Sequence, residues 1–253
     1  MPQITFSEKE SELFNVRFGR YEGPVFSAAD LAAQINALQL DFLRLKISGA
    51  DEGLIEWLND AQHPWHLLDI HRYYWLDTQL TPVVLKNNSQ LTLIQNTTDK
   101  ASTMYQIVYD TFSEMPMGFF KHHLIDQYFP VELQRKNVAQ YISTHYTGRS
   151  NPGKQSWLIA QNGLVIGCGA TNFLPNEAYT VYIGLLPEHR KKSLYDDVIN
   201  LMQHTIQQNG ARYITGSARL HNLSSQAVFE RQHERYTRHD YVVMLMPMLS
   251  MSK

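Results

Sequence analysis

A single cysteine, Cys168, stands in this chain of 253 residues. One thiol cannot build an internal disulfide framework, which fits a reducing cytosol. Excess charge is lacking too: 22 Lys and Arg against 24 Asp and Glu leave a formal net charge of -2, without the basic surplus of a nucleic-acid binder. No stretch approaches the run of about 18 apolar residues that a membrane-spanning helix needs. The opening Met1-Pro2-Gln3-Ile4-Thr5 has neither the basic nor the apolar region of a signal peptide. Heptads, low-complexity segments and close repeats are missing as well. What is present is 43% hydrophobic residues, enough for a sizeable core, so disorder is a poor reading. The expectation is a soluble cytoplasmic globule of one large domain or two small ones.

Residues 1–86 alternate between strand and helix patterns. Leu13 to Arg20 is strand-like and ends at Gly23-Pro24. Ser27 and Asp30 form a weak capping-box variant ahead of Leu31, Ile35 and Leu38, which share a helical face. Phe42 to Ile47 alternates like a half-buried strand. Asp51 caps a short helix bearing Leu54, Ile55 and Leu58, and His66 to Leu76 closes the unit as a long strand. The aromatics Trp65, Tyr73, Tyr74 and Trp75 belong to the core of this small α/β unit. The polar stretch Thr81 to Ser89 marks a domain boundary, giving units at 1–86 and 87–253.

The second unit opens with a strand over Gln90 to Asn96. Asp99 then caps a helix carrying Met104, Ile107, Val108 and Phe112. A further helix runs from about Val131 to His145, after Pro130. Trp157 to Ala160 and Leu164 to Ala170 flank Gln161-Asn162-Gly163, a strong hairpin signal. Tyr179 to Leu186 is a strand stopped by Pro187, which cannot donate to a sheet ladder. The next helix aligns Leu194, Val198, Leu201, Met202 and Ile206 on one stripe and ends at Asn209-Gly210. Arg212 to Leu220 is a strand, Asn222 to Gln232 a helix and Tyr236 to Met248 a last strand.

Between Pro187 and the stripe come Glu188-His189-Arg190-Lys191-Lys192-Ser193-Leu194-Tyr195. Basic residues leading into a helix N-terminus, where free amides and the macrodipole converge, make an anion site. The stretch resembles motif A of the GNAT superfamily of N-acyltransferases: strand, Pro-Glu-x-Arg, then a glycine-rich turn into a helix. The element order from residue 90 onward is similar to that family's fold. The resemblance implies an α/β (α+β) GNAT fold, with a mixed central sheet flanked by helices and coenzyme A as donor. Arg190, Lys191, Lys192, Ser193, Leu194 and Tyr195 would then hold the pyrophosphate, although Ser193 and Tyr195 stand where the family prefers glycine. The phrase Glu12 to Arg20 resembles the entry of the TDP-fucosamine acetyltransferase group. There a smaller, truncated GNAT-like unit precedes the working domain.

The same resemblance implies a middle strand splayed from its neighbour. Its amides, at Ile183, Gly184 and Leu185, would hold the pantetheine and face the oxyanion. The family pattern Asn-x-x-(Ala/Ser)-x-x-x-Tyr is met by Asn222, Ser225 and Phe229. Phenylalanine there has no proton for the leaving thiolate. Tyr182 occupies the strand position of the family's base, with His221 and His189 flanking the expected cleft; an ordered water chain is the other route. Cys168 lies on a core strand, where thiols are inert.

His123 and Asp126 approximate the Arg-Phe-His-x-Asp-Pro segment of the TDP-amino-sugar acyltransferases. With His122 and Tyr179 they are the acceptor-side candidates. Zinc is not expected, with one cysteine and no second histidine-rich cluster. The expected partners are acyl-CoA and a nucleotide-linked amino sugar, with a homodimer allowed and no nucleic acid or membrane. Another amine acceptor, or a non-catalytic acyl-CoA binder, remains open.

Overall fold

The computed structural model describes residues 3–22, 28–47, 65–85, 90–112, 130–148, 153–190, 194–219, 222–232, 235–236 and 238–247. After a two-residue strand β1 (Thr5–Phe6) the chain turns into helix α1 (Glu8–Phe14). The residue pattern had suggested a strand from Leu13. The cause is local: the Ser7 hydroxyl donates to the Glu10 carboxylate three residues on. Glu8 and Glu10 also place negative charge on the first turn, at the positive end of the macrodipole. Asn15, at φ 53°, ends the helix in the left-handed region with its N–H on the Ser11 carbonyl. Only then does β2 (Phe18–Glu22) begin.

Helix α2 (Ala28–Leu38), strand β3 (Phe42–Ile47) and the long strand β4 (Trp65–Asp77) follow as the sequence predicts. The short helix at Leu54, Ile55 and Leu58 lies outside the described residues. Phe42, Leu43 and Leu45 are all buried, so β3 is covered on both faces rather than half-buried. Strand β5 (Leu91–Gln95) leads through a 3-10 turn (Thr98–Lys100) into α3 (Ala101–Thr111). Asp99 sits inside that turn, and no side chain caps α3. Then come α4 (Val131–His145), β6 (Lys154–Gln161), β7 (Leu164–Leu174) and β8 (Glu177–Leu185). Asn162 and Gly163, at φ 51° and 80°, make the predicted hairpin turn. After a 3-10 turn at Pro187–His189 the chain closes with α5 (Leu194–Gln208), β9 (Tyr213–Arg219), α6 (Leu223–Arg231) and β10 (Arg238–Pro247).

All ten strands form one mixed sheet in the order β1-β2-β3-β10-β4-β9-β8-β7-β6-β5. Strand β4 lies between β9 and β10, antiparallel to both. The sheet therefore takes strands from both sides of residues 86 and 87. Helices α3 and α4 pack Met104, Val108, Val138 and Ile142 against one face, over Leu158, Cys168 and Ala170. Helix α5 lays Leu194, Val198 and Met202 over Trp157, Ile159 and Leu185 on the other. The sheet is sandwiched between helices, as a mixed α/β sheet with two apolar faces requires.

Candidate active site

Strands β8 and β9 run parallel, yet they pair only over Glu177–Tyr179 against Tyr213–Thr215. Strand β8 continues to Leu185 and β9 to Arg219, so beyond Tyr179 and Thr215 the two part and leave a wedge. A bulge marks the parting. Pairing with β7 steps from Thr180–Thr171 to Tyr182–Ala170, which leaves Val181 opposite no residue, and such an insertion bends the strand.

The two edges of β8 differ beyond the bulge. Leu186 donates its N–H to the Ile166 carbonyl at 2.9 Å, so by alternation Tyr182 and Gly184 also turn their amides toward β7. Ile183 and Leu185 turn theirs to the wedge. Their carbonyls show the same direction: Ile183 accepts from the Tyr195 hydroxyl at 3.3 Å and Leu185 from Arg190 Nε at 3.0 Å. Of the three amides expected at the wedge, Ile183 and Leu185 fit. Gly184 serves another purpose, because any side chain there would meet the Tyr182 ring and the Thr111 methyl.

Tyr182 thus lies along β8 on the α3 side. Its hydroxyl is hydrogen-bonded to Thr111 and its ring centroid stands 5.8 Å from that of Phe112. Burial pushes its phenol far up, the neighbouring Cys168 adds to this, and the Thr111 bond opposes it. The protonated phenol is favoured, which does not suit the base that its strand position suggested. Cys168 is wholly buried, and burial pushes its thiol up as well, which removes it as a nucleophile.

Arg190 was expected on a pyrophosphate. Its guanidinium instead ties two chain ends together, donating to the Leu185 carbonyl of β8 and to the Thr111 carbonyl of α3. Leu194 is buried in the core under α5. Tyr195, the departure from the glycine-rich turn, carries its hydroxyl to the Ile183 carbonyl on the wedge edge. Asn222 caps α6, its Oδ1 accepting from the Ser225 N–H at 3.1 Å. Phe229, one turn later, is stacked on Tyr74 with centroids 4.3 Å apart. Lys191, Lys192, Ser193, His221, His122, His123 and Asp126 lie outside the described residues.

Residues 118–233 match the acetyltransferase (GNAT) family, a span that holds β8, the wedge, α5, β9 and α6. The match spans less than half of the chain; it supports the mixed α/β fold and the enzyme class that the sequence implied, an acyl-CoA-dependent N-acyltransferase. Among solved structures, a conserved protein of unknown function from Staphylococcus epidermidis is similar at 13% identity and TM-score 0.66, over 98% of this chain and 92% of that one. A GCN5-related N-acetyltransferase from Kribbella flavida is similar at 10% identity and TM-score 0.63, over 97% and 87%. Another from Sphaerobacter thermophilus follows at 10% and 0.59, over 92% and 73%. These likenesses bear on the fold alone. Among curated proteins nothing matches.

On the sheet face away from α6, β8 and β9 share a polar row with the N-terminal strands. The Tyr179 hydroxyl stands 3.4 Å from the Ser217 hydroxyl of β9 and 3.4 Å from the Tyr73 hydroxyl of β4. Tyr73 accepts from Arg44 of β3, and Arg44 also reaches Glu10 of α1, as does Arg20. Tyr179, an acceptor-side candidate, is the last β8 residue paired with β9 and therefore stands at the apex of the wedge. The other members of the row were not predicted. The available signal was alternation: Tyr73 and Tyr74 must face opposite sides of β4, so both could not join one apolar core. No helix among the described residues is long and apolar enough to cross a membrane, and none of them form a group of three or more His, Cys, Asp and Glu poised for a metal.

Proposed function

We propose that this chain transfers an acyl group from acyl-CoA to the amine of a nucleotide-linked amino-dideoxy sugar, by direct attack without a covalent enzyme intermediate. The observation that carries the donor half is the wedge, whose β8 edge offers the amides of Ile183 and Leu185. Two amides two residues apart suit a pantetheine amide and the oxyanion of the tetrahedral intermediate. Donors built from backbone do not depend on side-chain identity. The chain's share of the work is to hold the thioester open toward the apex, and the deprotonated amine attacks from there.

The polar row supports the acceptor half. A nucleotide-linked amino sugar brings hydroxyls, a diphosphate and an aromatic base. Tyr73, Tyr179 and Ser217 supply hydroxyls and stacking faces, and Arg44 supplies a cation. Residues 1–86 then act as a truncated acyltransferase-like half that completes the acceptor side through Arg44 and Tyr73. The acyl group is acetyl or a longer chain such as 3-hydroxybutyryl. Thiol release from acetyl-CoA and 3-hydroxybutyryl-CoA against dTDP-linked amino sugars, amino acids and peptide amines tests this. Turnover confined to the nucleotide sugars is expected, and turnover confined to amino acids or peptides defeats the sugar assignment. Phe229, which has no proton to give, favours a second reading, an acyl-CoA binder without turnover; donor binding with no thiol release from any amine would establish it.

A further inference from the structure

Loss of the tyrosine at 229 leaves the departing sulfur without its expected proton donor, and the structure brings another phenol to the wedge. Tyr195 is the second residue of α5, and its hydroxyl donates to the Ile183 carbonyl at 3.3 Å. It therefore reaches from α5 to the β8 edge that faces the opening between the diverging strands. The Ile183 amide lies on the same strand edge. In a thioester the oxygen and the sulfur hang from one carbon, so a carbonyl oxygen on the Ile183 amide leaves the sulfur beside the neighbouring hydroxyl. Phe229 cannot compete for that place, because its ring is stacked on Tyr74 beneath α6.

We propose that Tyr195 is the catalytic proton donor to the leaving sulfur, an assignment resting on acyl-CoA being the donor substrate. As the carbon–sulfur bond breaks, sulfur takes the bonding pair and the phenol, turned from the Ile183 carbonyl, supplies its proton. The phenolate recovers a proton through water from the nitrogen that has just formed the amide. No net charge or proton is left behind. Burial raises the phenol's pKa, against the opposing effects of Ser225 and Arg190, so it is in the donating form at neutral pH.

A purely structural latch between α5 and β8 would use the same bond, and the test separates the roles. Coenzyme A and desulfo-coenzyme A differ only at the sulfur, and near pH 9 much of the thiol is ionised. By calorimetry the wild-type chain should bind coenzyme A about tenfold tighter than desulfo-coenzyme A, the size of one charge-assisted hydrogen bond. Tyr195→Phe should bind the two equally, with its desulfo-coenzyme A affinity unchanged. A variant that keeps the preference for coenzyme A, or weakens both ligands in proportion, overturns the proposal and leaves the donor assignment intact. Wild-type protein that binds neither ligand overturns both. Matching thermal unfolding of the two proteins confirms that the comparison reads the hydroxyl.

Discussion

Tyr73 and Tyr74 are neighbours on one strand and do opposite work. Tyr74, fully buried, is stacked on Phe229 with rings 7° from parallel and leans on Tyr236 at 5.3 Å. Its hydroxyl reaches the Glu230 carboxylate at 3.5 Å. Tyr73, also buried, faces Arg44, Tyr179 and, through Tyr179, Ser217. Around β4, one face is held by ring volume and the other by hydrogen bonds. The α6 face should therefore respond to lost atoms and hardly to lost hydroxyls. The polar face should respond to chemistry at constant shape.

The largest expected effect tests the volume half. Phe229→Ala removes a ring from a packed cluster that cannot refill the space, and should cost about 3–5 kcal/mol in urea unfolding. A loss under about 1 kcal/mol would mean that the stack collapses freely and that the face is not held by packing. On the polar face, Glu10→Gln keeps shape but leaves Arg44 and Arg20 facing a neutral amide, at a cost of about 3 kcal/mol at pH 7. The pH dependence follows from the carboxylate. Burial alone would raise Glu10, but the bond and charge of Arg20, the Ser7 hydroxyl and Arg44 together hold it below its ordinary value of 4.5. A depressed folded-state pKa contributes stability above the unfolded value and loses it as pH falls through the folded one. The gap between wild type and Glu10→Gln should then be full at pH 7, narrow below about 4.5 and close in stronger acid. A gap that stays constant with pH would remove charge from the explanation.

Local periodicity made much of the fold legible. Helix α4 takes the predicted bounds Val131–His145, and the stripe Leu194, Val198, Met202 and Ile206 is buried under α5. The Asn162-Gly163 turn depends on a few adjacent residues and stands where the sequence put it. Ser7 and Glu10 were equally local, yet their effect on α1 was hidden by the apolar alternation that begins at Leu13. Nonlocal facts were out of reach. That β4 enters between β9 and β10 depends on pairing across the chain, and the Tyr73–Tyr179 contact joins residues 106 apart. The site suffered most where a motif names a residue but not its direction. Gly184 is turned toward β7, Tyr182 is bound to Thr111, and Arg190 fastens α3 to β8. Tyr195, a departure from the motif, is the residue whose hydroxyl reaches the wedge.

The finest test makes the same change at adjacent positions. Tyr73→Phe and Tyr74→Phe each delete one hydroxyl and keep the ring. At Tyr73 the loss removes the acceptor for a buried guanidinium donor, so the cost should be about 1–3 kcal/mol. On the proposed acceptor role of the row, it should also raise the KM for the acceptor amine while leaving that for acyl-CoA unchanged. At Tyr74 the lost bond is long and its partner Glu230 keeps Arg72, so the change should stay within about 0.5 kcal/mol. Chemical denaturation and steady-state kinetics on the two variants read both quantities. Equal costs would show that the faces are not distinguished by chemistry. A Tyr73→Phe protein with altered acyl-CoA KM and normal acceptor KM would move the polar row to the donor side.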